Sequence, residues 1–101
     1  MRLLVFFDLP TETSRDRREY TRFRKFLVKN GFIMMQESVY SKIILNNTAG
    51  DALKENVRRN KTQGGIIQML TVTEKQFANI EYVAGKRQTE IVDSDERFVL
   101  L

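Results

Sequence analysis

The stretch that decides the fold is residues 2–10, which read RLLVFFDLP. Residues 3–7 are all apolar, and such a run is typical of a β-strand that is buried on both faces. The run ends in a carboxylate, Asp8, where burial of a charge is costly. The chain contains no histidine and no cysteine. Any chemistry that the protein performs must therefore depend on carboxylates such as Asp8.

The composition predicts one soluble domain over residues 1–101, with a core at about 1–84 and a C-terminal extension at 85–101. The chain is 42% hydrophobic and 30% charged, which is ordinary for a folded globular protein. It has no apolar stretch near ~20 residues and no leader-like segment, so we expect neither a membrane partner nor a signal peptide. The absence of cysteine excludes disulfides and zinc–thiolate sites, and we expect a cytoplasmic protein.

Hydrophobic periodicity and turn residues predict the elements that follow this first strand. They are a strand at 2–8, a helix at about 13–30, strands at 32–37 and 38–45, a helix at about 48–60, and strands at 65–73, 79–84 and 97–101. Two possible capping boxes, Thr13 with Asp16 and Thr48 with Asp51, mark the helix starts. Gly31 is expected just past the end of the first helix, and residues 64–65 form the turn into the strand at 65–73.

The order βαββαβ predicts an α+β, ferredoxin-like sandwich with an extra C-terminal strand. Both helices then cover one face of the sheet. The strands at 2–8 and 65–73 are apolar on both faces, so an apolar face is left without a cover. We expect a homodimer that packs through these sheet faces, burying ~800 Å² per partner.

Positive charge is concentrated in the N-terminal half of the chain. Residues 1–30 carry a net charge of +4, residues 31–61 of +2 and residues 62–101 of −2. One helix face carries a cationic ridge, defined as Arg15, Arg18, Arg22, Lys25 and Lys29, which is ~21 Å long at a rise of ~1.5 Å per residue. A second group, Lys54, Arg58 and Lys61, follows on the next helix.

The ridge has two interpretations, a solvated helix face or a row of phosphate contacts. Like charges at this spacing repel one another and destabilise the helix, which favours phosphate contacts. No aromatic stacking platform accompanies the ridge. The sequence therefore predicts binding that follows the nucleic-acid backbone and is indifferent to base sequence.

Asp8 also has two interpretations. Across a two-fold axis it could meet its own copy, and two close carboxylates bind a divalent cation, Mg²⁺ or Mn²⁺, or share a proton. Such an ion could activate water and stabilise a phosphodiester transition state. Alternatively, the carboxylate accepts hydrogen bonds from backbone N–H groups of the turn that follows it. The sequence contains no phosphate-binding glycine loop, no HExxH motif and no serine–histidine–aspartate set, so those enzyme classes are excluded.

Several motifs together resemble a known family. They are LVFFDLPT at residues 4–11, the arginines at 15, 17 and 18, GF at 31–32, QESVY at 36–40, LTVTEKQF at 70–77 and DERFV at 95–99. The chain resembles the CRISPR-associated protein 2 family over essentially its whole length. The last two motifs are similar to the branch that is encoded beside the large RNA-guided nuclease in type II systems.

The resemblance implies a ferredoxin-like homodimer that lies between two dimers of the CRISPR integrase and helps to hold the double-stranded DNA that becomes a new spacer. It also implies that some members are metal-dependent endonucleases on RNA or double-stranded DNA. The family's metal-ligating aspartate corresponds to Asp8 and its helix arginines to Arg15 and Arg17. Phe7 departs from the tyrosine of many members, and Lys29 and Met35 stand roughly where nuclease-active relatives have arginine and phenylalanine.

Two functions follow as expectations. The first is a DNA-binding bridge in spacer acquisition, with Arg15, Arg17, Arg18, Arg22, Lys25, Lys29, Lys54 and Arg58 as the nucleic-acid contacts. The second is an Mg²⁺- or Mn²⁺-dependent endonuclease with Asp8 as metal ligand and catalytic residue. A small-molecule regulatory dimer of the same fold is a third, weaker class, which the cationic ridge disfavours. No small-molecule cofactor is expected.

Overall fold

The computed structural model describes residues 1–86. The elements are β1 (Arg2–Asp8), α1 (Ser14–Lys29), β2 (Ile33–Gln36), β3 (Val39–Ile43), α2 (Asn47–Arg59), β4 (Ile66–Val72) and α3 (Glu74–Ala78). The four strands form one sheet in the order β2-β3-β1-β4, and the paired strands are antiparallel. The α+β, ferredoxin-like βαββαβ order predicted from the sequence is confirmed. The predicted strand at 97–101 lies outside the described residues.

Strand β1 occupies the centre of the sheet and pairs with a neighbour on each side. Arg2 lies opposite Ile43 of β3 and Val72 of β4, and Asp8 lies opposite Ile66 at the other end of β4. A central strand has no backbone edge exposed to solvent, and residues 3–7 of β1 are apolar because both faces of the strand are largely buried there.

The main core lies between the sheet and the two long helices. Leu3, Val5 and Phe7 of β1 are buried there against Phe23 and Leu27 of α1, together with Val57 of α2 and Tyr40 of β3. The Phe7 ring meets the Phe23 ring edge to face at 5.3 Å between centroids and stacks on Tyr40 at 5.7 Å. Because side chains alternate along a strand, Arg2, Leu4, Phe6 and Asp8 lie on the opposite side, which we call the open face.

Of the two helix N-caps predicted from the sequence, one is confirmed and the other is wrong. At α1 the predicted capping box is confirmed, since the Asp16 N–H donates to Thr13 Oγ1 at 3.0 Å and the Thr13 N–H donates to Asp16 Oδ2 at 3.2 Å. At α2 the prediction of Thr48 as N-cap is wrong. The side chain of Asn46 accepts from the Ala49 N–H at 2.8 Å, so the helix begins earlier.

The predicted strand at 79–84 is also wrong, because residues 79–86 form no strand. A short helix, α3, precedes them instead. It starts with a capping box between Thr73 and Gln76 and ends at Asn79. Its signature, a threonine followed three residues later by glutamine, is present in the sequence, but the window is too short for helical periodicity to be visible.

Helix α3 packs on the open face, which the sequence predicted to have no helix against it. Phe77 is 6% exposed, and the guanidinium carbon of Arg2 lies 4.0 Å from the centre of its ring. Elsewhere the open face remains apolar and accessible, with Ile66 58% and Leu70 52% exposed. The expected apolar face is therefore present, but only part of it is uncovered.

Gly65 sets the close approach of β4 to the end of β1, and its replacement tests that approach. Its φ is +83°, and an added Cβ would lie 2.6 Å from the Asp8 carbonyl oxygen. We expect Gly65→Ala to lower the free energy of unfolding by about 2 kcal/mol or more, measured by urea denaturation, because strain and overlap add. The matched control is Gly64→Ala, whose Cβ would meet only the Pro10 ring at 3.8 Å. An equal loss in both variants would contradict this account.

Candidate nucleic-acid interface and metal site

Asp8 lies at the end of β1 on the open face, and it is exposed. Within residues 1–86 its carboxylate accepts no hydrogen bond, including none from the turn at 9–11. The interpretation of Asp8 as a turn acceptor is therefore wrong for the described part of the chain. An exposed carboxylate that no neighbouring donor satisfies is available to bind a cation.

The backbone on both sides holds this carboxylate in place. The Phe7 N–H donates to the Ser38 carbonyl at 3.0 Å, which ties the end of β1 to the turn between β2 and β3. On the other side, Gly65 brings β4 against the Asp8 carbonyl. Ser38 contributes its backbone carbonyl rather than its hydroxyl group. The site is therefore built on a strand end that is fixed on both sides.

A metal centre is not complete within one described protomer. Residues 1–86 contain no group of three acidic, histidine or cysteine side chains that could hold an ion. The oxygens of Asp8 suit Mg²⁺ or Mn²⁺, which prefer carboxylate and water ligands. One carboxylate is a weak site, so an ion there requires ligands from a second copy of the chain or from a bound substrate.

The structure divides the predicted cationic residues of α1 by what their side chains already bind. Arg15 donates from Nη2 to Gln63 Oε1 at 2.8 Å. Arg17 donates from Nη1 to the carbonyls of Thr11 and Glu12 at 3.1 and 3.0 Å, which holds the loop before the helix. These two arginines therefore have structural partners in addition to any nucleic acid.

Arg22 joins the two long helices. Its guanidinium forms an ion pair with Glu19 at 3.1 Å and donates to the carbonyls of Asn60 and Lys61 at 3.1 and 3.3 Å, just past the end of α2. A cation is favourable there, because the last carbonyls of a helix lack partners. The hydrogen bond from Arg22 also lowers the pKa of Glu19. Arg22 is thus a helix-capping residue as well as a member of the ridge.

Three ridge residues remain, and all are exposed. Arg18, Lys25 and Lys29 make no hydrogen bond or ion pair with any other side chain or backbone group of residues 1–86. Arg17, Arg18 and Lys25, together with Ser14, Thr21 and Arg22, line a shallow depression along α1. This cationic surface presents charged donors of the kind that contact a phosphate backbone.

The cations on and just after the second helix are also divided by what their side chains bind. Arg58 is engaged by Glu55 at 3.1 Å. Lys54, Arg59 and Lys61 have no such partner within the described residues. Because Arg22 holds the end of α2 against α1, Lys61 lies beside the ridge and extends its positive field.

One arginine of α1 has a role that the sequence did not reveal. The Arg24 Nε donates to the hydroxyl of Tyr40 at 3.1 Å, and this bond raises the pKa of Arg24. Tyr40 is fully buried, so its hydroxyl needs a partner. The partner lies on another element, and no local pattern in the sequence indicates it.

Comparison with known proteins agrees with this fold. The model of the family described as CRISPR associated protein Cas2 matches residues 1–80. Proteins named CRISPR-associated endoribonuclease Cas2 from Treponema denticola and Streptococcus mutans are each 50% identical to this chain over 101 residues, which is 100% of the chain and 100% and 93% of those proteins. The chain therefore belongs to the CRISPR associated protein Cas2 family, and the resemblance seen in its motifs is confirmed.

A solved structure supports the fold in particular. The crystal structure of Streptococcus pyogenes Cas2 at pH 6.5 superposes with a TM-score of 0.65, covering 83% of this chain and 100% of that one at 19% identity. At that identity the likeness establishes the ferredoxin-like fold alone. Separately, none of the helices within residues 1–86 has the length and apolar character needed to cross a membrane.

Arg22 has structural partners and Arg18 has none within residues 1–86, so alanine substitutions at the two positions should differ in their effect on stability. We expect Arg22→Ala to lower the free energy of unfolding by about 1 kcal/mol, because carbonyls past the end of α2 lose a charged donor. Arg18→Ala is the control, and we expect it to stay within about 0.5 kcal/mol of the original protein. Urea denaturation measures both. Equal effects would mean that the Arg22 contacts do not contribute to the fold.

Proposed function

We propose that this chain is a homodimeric, double-stranded-DNA-binding subunit that bridges two integrase dimers during CRISPR spacer acquisition. The observation that carries the proposal is the set of three exposed cations on α1, Arg18, Lys25 and Lys29, which have no partner within the described residues. Family membership supports a role in CRISPR systems.

The spacing of the three cations suits a polyanion rather than a small ligand. Arg18 and Lys29 are eleven residues apart on one helix, which corresponds to ~16 Å along its axis. Lys25 lies between them on the same side. Each contact with a phosphate releases a counterion, so binding gains free energy without reading base identity. Arg15, Arg17 and Arg22 add charge to this surface while they hold the fold.

The open face supports the homodimer. Ile66 and Leu70 expose more than half of their surface on an antiparallel sheet that has no long helix on that side, and Ile33 of the edge strand β2 is 42% exposed. A second copy presents the same apolar surface, so a two-fold contact covers both faces at once.

A face-to-face dimer would place the two ridges on its outer layers. With ~10 Å between packed layers, the two α1 helices would lie on the order of 30 Å apart. A duplex rises ~3.4 Å per base pair, so about nine base pairs would span both ridges. That geometry favours a duplex over a short single strand, and it leaves the ends of the dimer free for protein partners such as the integrase.

Charge reversal on the ridge tests DNA binding. We expect Arg18→Glu with Lys25→Glu to weaken binding to a duplex of about thirty base pairs and to reduce the slope of log affinity against log salt by about 2. Both residues lack structural partners within residues 1–86, so the fold should be retained. Fluorescence anisotropy from 50 to 200 mM salt measures the slope.

The matched control carries the same change in net charge elsewhere on the molecule. Lys75→Glu with Lys86→Glu alters two exposed lysines outside α1 and α2, and its salt slope should equal that of the original protein. If the ridge variant kept the original slope, or if the control lost as much affinity, the ridge would not be the DNA-binding surface.

A second candidate function is a metal-dependent endonuclease, and the free carboxylate of Asp8 favours it. The relatives are named endoribonucleases. Two Asp8 carboxylates of a dimer would hold Mg²⁺ or Mn²⁺, which when bound supplies a Lewis acid for phosphodiester hydrolysis. Arg15 lines the groove that begins at Leu9 and Pro10, directly after Asp8, and it would hold the scissile phosphate in place. Arg17 stabilises the loop that joins β1 to α1.

Asp8→Asn tests this candidate with little effect on the fold. The carboxylate is exposed and has no hydrogen bond within residues 1–86, so we expect the free energy of unfolding and the DNA affinity to be retained. We expect cleavage of labelled RNA or duplex DNA in Mg²⁺ or Mn²⁺ to fall at least 100-fold. Cleavage by Asp8→Asn at the original rate would place the activity at another site. A wild-type protein that binds DNA and cleaves neither substrate would reject the nuclease and leave the bridging role intact.

A further inference from the structure

The contact between β1 and α3 is not explained by the DNA-binding surface or by the Asp8 site. Arg2 Nε donates to both carboxylate oxygens of Glu74, at 3.0 and 3.2 Å. The same guanidinium covers the Phe77 ring at 4.0 Å. The Arg2 side chain is 15% exposed and the Glu74 side chain 52% exposed, so only the arginine half of this ion pair is shielded from water. We call Arg2, Glu74 and Phe77 the α3 contact.

The α3 contact covers the middle of one end of the open face and leaves the other end free. Arg2 lies at the covered end, and in the next row on the same face Leu4 and its neighbour Ser41 are 7% and 2% exposed, whereas Ile43 and Leu70, which flank β1 in these rows, are 53% and 52% exposed. Farther along, the rows of Phe6 and Asp8 include Gln68 and Ile66, and both are exposed. A molecule that approaches the open face can therefore settle on the Asp8 end without displacing anything in residues 1–86. At the Arg2 end it meets α3.

We propose that the α3 contact is a positioning device that confines the homodimer contact to the Asp8 end of the open face and so brings the two Asp8 carboxylates together. The inference rests on the homodimer proposed above. Arg2, Glu74 and Phe77 are positioning residues in this scheme, because they lie at the other end of β1 and act only through the placement of the second copy.

The size of a possible misplacement shows why such a device matters. Side chains on one face of a strand repeat every two residues, or ~6.8 Å. A two-fold axis that moves by one such repeat separates equivalent residues of the two copies by twice that distance, ~14 Å. A shared Mg²⁺ binds each oxygen at ~2.1 Å, so the paired oxygens must lie within ~4.5 Å. One repeat of slippage would therefore eliminate the shared site.

An apolar open face without α3 would not prevent that slippage. The residues that flank β1 at both ends of this face are apolar and similar in size, with Ile43 and Val72 beside Arg2 and Ile66 beside Asp8. Flat apolar contacts define a register weakly unless a bulky or charged element excludes the alternatives. In this chain α3 is that element. Phe77 is buried, but it lies outside the main core cluster between the sheet and the long helices.

The experiment measures the separation of the two copies directly. The chain has no cysteine, so Thr11→Cys, an exposed position near Asp8, introduces a single spin label per protomer. Double electron–electron resonance then reports one distance across the dimer. We expect a single narrow distribution in this labelled protein. Bound Mn²⁺, counted by titration, should be one ion per dimer.

Two variants release the α3 contact to different degrees. Glu74→Gln removes the ion pair and keeps the shape, and Glu74→Gln with Phe77→Ala removes the apolar anchor as well. We expect the distance distribution to broaden and to gain a component shifted by about 10 Å or more, and the Mn²⁺ count per dimer to fall. Lys75→Gln changes an exposed residue of the same short helix and should leave both measurements unchanged.

The outcomes separate this inference from the proposed function. If hydrogen exchange shows that residues 74–78 are released and the distance distribution is still unchanged, the α3 contact does not set the register. If circular dichroism shows that the double variant is unfolded, the distance distribution and Mn²⁺ count of Glu74→Gln alone test the proposal. If the labelled protein without these changes is a monomer by sedimentation, the proposed homodimer itself is wrong. DNA binding should keep its salt slope in every variant, because the ridge lies on the other side of the sheet.

Discussion

The structure depends on the burial of β1 at the centre of the sheet. This strand pairs with β3 and β4, and it packs Leu3, Val5 and Phe7 against α1 and α2. Because its alternate residues must face the other side, the same strand defines the open face and ends it in Asp8. The strand that contributes three side chains to the main core therefore also carries the candidate metal ligand at its end. Gly65 fixes that strand end by allowing β4 to approach closely.

Helix α1 combines a structural and a recognition role on one cationic surface. Arg22 holds the end of α2 and Arg17 holds the loop before the helix, whereas Arg18 and Lys25 have no partner within the described residues. The bound arginines keep the helix in place, and the free cations give the surface its capacity for phosphate. The repulsion between like charges along the helix is partly offset by Glu19 and by the α2 carbonyls.

Much of this fold was predictable because its signals are local. The apolar run of β1 and the capping box of α1 agree with the structure, and so does the glycine after α1, where Gly31 has a φ of +87°. The start of α2 was predicted incorrectly because two adjacent segments both offer an N-cap and the earlier one, Asn46, is used. Helix α3 was missed because five residues are too few for a periodic pattern.

The sequence by itself determined the order of the elements, the position of Asp8 at the end of a buried strand and the concentration of positive charge on α1. These features follow from periodicity, composition and caps, which act between residues that are close in the chain. Only the tertiary structure decided which arginines are free and which end of the open face is covered. Arg22 reaches carbonyls 38 and 39 residues away, and Arg2 reaches a carboxylate 72 residues away. Partners at such separations leave no local pattern, because the fold alone brings them together.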